Sequence, residues 1–149
     1  MPVACAGPIA PVKYAYLHHD SGYVNEAPPI QNQWYTVFED DDVRVIRAQM
    51  RQGNGAADNK AVEWRYTVDG LVYGCPFSLP NGVYWDIWRD RGQSPFGLTA
   101  TAILTEKLNA AMHVDLRGQH VKAEVRLTDA PGANQTLQAW GVYETLEVT

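Results

Sequence analysis

The side chains able to do chemistry are few and scattered. His113 and Asp115 stand two apart, which puts both on one face of an extended strand. Imidazole and carboxylate are usual donors to Zn²⁺ or another divalent ion. His18, His19 or His120 would have to complete such a set. Adjacent His18 and His19 point apart if extended, and no Cys-x-x-Cys, His-x-His or His-Glu-x-x-His is present. A rim strand with solvated polar residues is the simpler reading. Asp40-Asp41-Asp42 offers hard oxygens for Ca²⁺, but lacks the spaced donors and glycine turn of a calcium loop. An acidic turn between two strands is expected there. Glu63, Glu124, Glu144 and Glu147 could supply two carboxylates for glycoside hydrolysis, yet nothing in the sequence brings a pair to the required separation. Ser21, Ser78 and Ser94 lack a Gly-x-Ser-x-Gly frame, and no glycine-rich phosphate loop occurs. The expectation is therefore no catalytic, cofactor-binding or metal-ligating residues, and no enzyme.

Aromatic and arginine side chains carry more information. Five Trp and eight Tyr are many for 149 residues. Trp85 and Trp88 are an odd number apart, so on one strand they face opposite sides. One belongs to the core, and the other is exposed or covered by something else. Arginines outnumber lysines eight to four. Arginine suits fixed bidentate contacts and stacking on rings, and interfaces are enriched in Trp, Tyr and Arg. Tyr14, Tyr16, Trp85, Trp88, Arg89 and Arg91 are the interface candidates. Exposed aromatic rings could also serve as a platform for a glycan.

The elements that must position these residues read as short strands. Val62, Trp64, Tyr66 and Val68 alternate with polar residues, and Asp69-Gly70 closes the run before Leu71-Val72-Tyr73. That is the period of a half-buried strand followed by the strongest short hairpin signal. Val62, Trp64, Tyr66 and Val68 should pack inward, with Glu63, Arg65 and Thr67 outward. Further strands are expected at Trp34–Glu39, Val43–Arg51, Val83–Trp88, Val121–Leu127 and Trp140–Val148. The last has one flaw, Glu144 on its apolar side. Gln52–Asn59 reads as a flexible loop tip. Leu98–Arg117 reads as strand, short helix, then strand from His113 to Leu116. Residues 1–33, broken by five prolines, read as an irregular arm with one short strand near Lys13–Leu17 and a turn at His18–Gly22. The arm cannot easily hold itself, so docking on a neighbouring subunit or a shell is expected. The fold class is all-β: a two-sheet antiparallel sandwich over 34–149, of jelly-roll type, with at most one short helix.

Composition sets limits. The length fits one core, at 46% hydrophobic and 19% charged residues. A net charge of −5 and scattered lysines argue against nucleic acid as the main partner. No apolar run approaches a bilayer span, and the first residues have neither a basic region nor a long apolar one, so neither a membrane nor a secretory signal is expected. Cys5 and Cys75 fit two free thiols better than one disulfide.

The series Gln33-Trp34-Tyr35-Thr36-Val37-Phe38-Glu39, Val43-Arg44-Val45-Ile46, a Gly-Asn loop and Lys60-Ala61-Val62-Glu63-Trp64-Arg65-Tyr66-Thr67-Val68-Asp69-Gly70 resembles β-sandwich proteins encoded among phage structural genes. In those proteins a WYTV strand precedes a VEVRxTVDG hairpin. The strands at Val121–Thr128 and Gln135–Val148 resemble the second half of the same proteins. The resemblance covers about residues 33–148. It implies a virion-associated protein assembled in the host cytoplasm: a capsid decoration protein, or a fibre or tail component. Its implied partners are its own copies, as in a trimer, and a major capsid or other virion protein.

Overall fold

Alternation becomes burial where the sequence is most regular. Val62, Trp64, Tyr66 and Val68 are all buried, and Glu63, Arg65 and Thr67 between them face outward, half-buried. The computed structural model describes residues 15–89 and 117–148. Seven strands are present: β1 (Ala15–Glu26), β2 (Tyr35–Gly53), β3 (Lys60–Val68), β4 (Leu71–Leu79), β5 (Trp85–Arg89), β6 (Arg117–Leu127) and β7 (Thr136–Val148). They form one antiparallel sheet in the order β1-β7-β2-β6-β3-β4, with β5 also paired to β2. No helix occurs among the described residues, and none is long and apolar enough to cross a membrane. Asp69 and Gly70 both take positive φ, 49° and 84°, which is the twist a two-residue hairpin turn needs.

β2 is the pivot. Residues 35–44 pair with β6, whereas residues 43–53 pair with β7. Arg47 pairs with Val142 on one edge and with Arg89 of β5 on the other. The sheet folds over where the partners change. Phe38, on the first half of β2, stacks on Tyr143 of β7 with ring centres 4.3 Å apart. Gly141 lies under the Phe38 ring, where an added Cβ would come within 2.8 Å of it. Gly22 of β1 lies so close to Val37 that no side chain fits. β1, β7, β5 and the second half of β2 therefore form one layer. The first half of β2 with β6, β3 and β4 forms the other. A single core that includes Val24, Phe38, Met50, Trp64, Tyr66, Leu137 and Tyr143 fills the space between. The antiparallel all-β expectation holds, and in place of two separate sheets the strands form one continuous hydrogen-bonded sheet.

Three local expectations need correction. Asp40-Asp41-Asp42 is not a turn, because β2 runs through it and Asp40 and Asp41 pair with Val121 and His120. Asp42 absorbs the change of partner with φ of 52°, a conformation that aspartate tolerates. Residues 15–26 are not irregular arm: β1 pairs with β7 along its whole length. His18–Gly22 is likewise mid-strand, and Gly22 serves the close layer contact instead of a turn. The prolines at 28 and 29 end the strand but do not govern the residues before it. The expected strand–helix–strand at Leu98–Arg117 falls outside the described residues apart from Arg117, as does Cys5.

Candidate functional site

The register of β1, β7 and β2 decides which side chains share the outer face of their layer. Leu17 stands opposite Leu146, and Tyr23 opposite Trp140. Trp140 in turn stands opposite Gln49, and Gln138 opposite Arg51. The inner face takes Leu137, Ala139, Tyr143 and Thr145, all buried. The outer face leaves large apolar groups in solvent: Leu17 is 68% exposed, Tyr23 54%, Leu146 48% and Trp140 38%. The apolar side of the 140–148 alternation is thus the outer one. Its flaw, Glu144, has a local reason. Its Oε1 accepts from Arg44 Nη1 at 3.3 Å and lies 3.2 Å from His19 Nε2.

Arginines are threaded through this face. The Arg47 guanidinium sits 6.0 Å from the Trp140 ring centre, and that of Arg51 5.8 Å from Tyr84. Arg51 also donates to Gln138 Oε1 at 2.9 Å, and Gln138 donates to the Tyr23 hydroxyl at 3.2 Å. Partial burial raises the Tyr84 hydroxyl pKa, and Tyr23 beside it adds to the rise. A groove of about 550 Å³ opens at one end, lined by Leu17, Leu146, Arg44 and Arg117 among others. The whole face combines flat rings, aliphatic side chains and fixed cations.

The outer face of the second layer differs in kind. Arg126 donates to Glu63 at 2.7 Å, Arg65 donates to Glu124 at 3.0 Å, and Lys122 lies 3.8 Å from Glu124. Trp34 lies against Arg65 and Arg126, its ring centre 3.9 and 4.4 Å from their guanidinium carbons. Glu63 and Glu124, two of the glutamates considered as hydrolytic acids, are thus ion-paired across neighbouring strands. Glu124 is buried beneath its arginine partner, and Glu63 is half-buried.

His120 is held more tightly than the sequence indicated. Its Nδ1 lies 2.7 Å from Asp41 and its Nε2 2.8 Å from Glu39. Its backbone N–H donates to Asp69, and its carbonyl accepts from the Asp69 N–H. The hydrogen bonds to Asp41 and then to Glu39 raise its pKa above the usual imidazole value. The two ring nitrogens serve different carboxylates, so this is a clasp between strands and does not form one coordination centre. No group of three or more His, Cys, Asp or Glu able to hold a metal occurs among the described residues. His113 and Asp115 lie outside them.

The interface candidates separate. Trp85 packs on the core and stacks on Phe77, with ring centres 6.3 Å apart and planes 6° from parallel. Trp88 and Arg89 sit on β5, beside Ala48 and Arg47. Tyr16 sits on β1, opposite Glu147. Tyr14 and Arg91 lie outside the described residues. Tyr23, Tyr84, Leu17 and Leu146 were missed. Of these Leu146 alone carried a signal, an apolar alternation on a strand whose opposite face is also apolar.

No protein-family model matches the sequence, and no curated protein matches it. Among solved structures the chain is similar to a chain of the cyanophage Pam1 capsid asymmetric unit, with a TM-score of 0.43, 10% identity and 97% of each chain covered. It is also similar to the infectious bursal disease virus VP2 subviral particle, with a TM-score of 0.33 and 11% identity, covering 99% of this chain and 37% of that one. Likeness at these scores carries no argument about function, which has to rest on the chain's own surfaces.

Proposed function

We propose that this chain is a non-enzymatic structural protein of a virus particle, a decoration or cement protein that stabilises the shell through the surfaces it buries. One observation carries the reading. The β1-β7-β2 layer presents Leu17, Tyr23, Trp140 and Leu146 in register on one exposed face, with Arg44, Arg47 and Arg51 among them. Large rings and arginines on a contiguous exposed face are the composition of a protein–protein interface. The sequence resemblance to phage structural proteins supplies the assembly such a face would serve.

The test is co-sedimentation of the purified protein with shells of the virus that encodes it. Saturable binding to shells, weakened by Trp140→Ala, is expected. A protein that stays in solution at every shell concentration would remove this reading. A glycan-binding role, as in a fibre or receptor-binding module or a carbohydrate-binding domain, has one observation of its own: Tyr23 and Trp140 stand opposite each other as an exposed aromatic pair. Saturable glycan binding that is lost with Trp140→Ala, in a protein that ignores shells, would favour it.

A further inference from the structure

The sheet ends in strands of different kinds. β4, at one end of the order, contains Pro76, and β5 has only 5 residues. Proline and shortness are usual means of blunting an edge against further pairing. β1, at the other end, has neither. Its 12 residues contain no proline, lysine or arginine, and they pair with β7 from Ala15 to Glu26 without a register shift. Among the described residues no strand lies on its outer side. The backbone N–H and C=O groups of that side are a template for one more strand. Residues 17–21 are exposed whichever face they point to.

The order of side chains along β1 says which strand fits. His18 and Asp20 share the face opposite to that of Leu17 and Tyr23, and both are exposed. Asp20 stands opposite Tyr143, whose hydroxyl donates to Asp40 at 3.2 Å. Burial first, then the negative charge of Asp20 and the bond to Asp40, pushes the pKa of that hydroxyl up to about 12. Two carboxylates therefore meet at this edge, where a cation from an incoming strand is favoured. A copy of β1 supplies it. Antiparallel pairing of two β1 strands about His19 sets His18 of each copy opposite Asp20 of the other. The paired span is then residues 15–23 of each copy. We infer that two copies of this chain join through β1, antiparallel and centred on His19, so that their β1-β7-β2 layers become one continuous sheet. The contact uses the same strand of both copies, so it closes as a pair. Leu17 and Tyr23 of both copies then lie on one outer face with Trp140 and Leu146. The inference rests on the assembly reading above and names its partner.

Analytical ultracentrifugation of the full chain should find a dimer that dissociates on dilution. His18→Glu sets like charges against each other at both cross-strand pairs, and Asp20→Lys removes both carboxylates. Each should weaken dimerisation on the order of tenfold, since the change enters twice, and the double variant should recover most of it. Circular dichroism checks that each variant is folded. Across the twofold the Cα atoms of the two residues 19 would lie about 4.5–5.5 Å apart, within disulfide reach. Under mild oxidation His19→Cys should give a cross-linked dimer and Leu71→Cys on β4 should not, with the wild-type chain as the control for Cys5 and Cys75. A wild-type monomer at every concentration would overturn the inference and make Asp20 a charge that guards the edge. A double variant as weak as the singles, or Leu71→Cys cross-linking as readily as His19→Cys, would overturn it too. A monomer that still binds shells would overturn this inference alone. A dimer that binds no shells would support it and remove the assembly reading.

Discussion

At the residue scale, two polar side chains deserve comparison because one is buried and one is not. Gln52 is fully buried with all four hydrogen-bonding positions used. Its Nε2 donates to the carbonyls of Asp58 and Leu79, both at 2.9 Å, and its Oε1 accepts from Asn54 at 2.9 Å and Gln135 at 2.8 Å. Gln52→Leu fills similar volume but strands the Leu79 carbonyl and the Gln135 amide. It should cost at least about 1–3 kcal/mol, read as a lower denaturant midpoint. His120 is exposed, so its clasp is a matter of proton affinity more than of stability. Its proton is held more tightly in the folded chain than in the unfolded one, where the pKa is 6.5. The clasp's contribution is therefore whole below pH 6.5 and fades as pH rises through the raised folded value. NMR titration of the His120 ring should give a midpoint above 6.5, and Asp41→Asn should bring it down. A midpoint at or below 6.5 in the wild-type protein would remove the clasp.

At the element scale, β2 and the strands it serves hold most of the architecture. Trp64 is fully buried at the centre of β3 and lies tilted against Tyr66, with ring centres 5.6 Å apart. Burial pushes the Tyr66 hydroxyl pKa well above its ordinary value, with the Trp64 side chain acting weakly the other way. Trp64→Ala should cost about 3–5 kcal/mol, because the lost area is joined by a cavity between two layers. Urea unfolding measures it, and a loss below 1 kcal/mol would mean the layers close over the gap. The opposite error, overfilling, is available at Gly22. An added methyl would meet the Val37 backbone, which cannot move aside as a side-chain tip can. Gly22→Ala should therefore destabilise by about 1–3 kcal/mol or more, although alanine is the better strand residue.

At the scale of the whole molecule, the first described strand pairs with the last. β1 hydrogen-bonds to β7 from Ala15–Val148 to Glu26–Leu137, and Val24 reaches the core. An arm that merely docked on a neighbour would be dispensable to its own domain. Deleting residues 2–28 should instead bare the edge of β7 and the buried side of Tyr143 and Phe38. The expected result is a lower melting temperature and aggregation through the open edge. A truncated chain that melts at the wild-type temperature would restore the reading of an independent arm. The same topology gives the outer face its size, because β1 adds Leu17, His19 and Tyr23 to what β7 and β2 present.

The sequence by itself determined the strands whose alternation is regular and whose turn chemistry is local. β3, β6 and the Asp69-Gly70 hairpin follow from side-chain period and backbone handedness, which act between neighbours in the chain. Residues 15–26 and 40–42 were not legible, because strand content there comes from distant partners. Asp41 is extended since His120 pairs with it, and Gly22 is extended since Gly141 pairs with it. The candidate surface was half legible. Trp140, Val142 and Leu146 announced an apolar face, but alternation carries no sign for inside and outside. Only the register, with Tyr143 stacked on Phe38, decided which face was buried and which was left for a partner. The charge reversal along β2 was readable in the letters of residues 39–51. Only the tertiary structure showed that the two charges fall on the two halves of one strand, each half in a different layer.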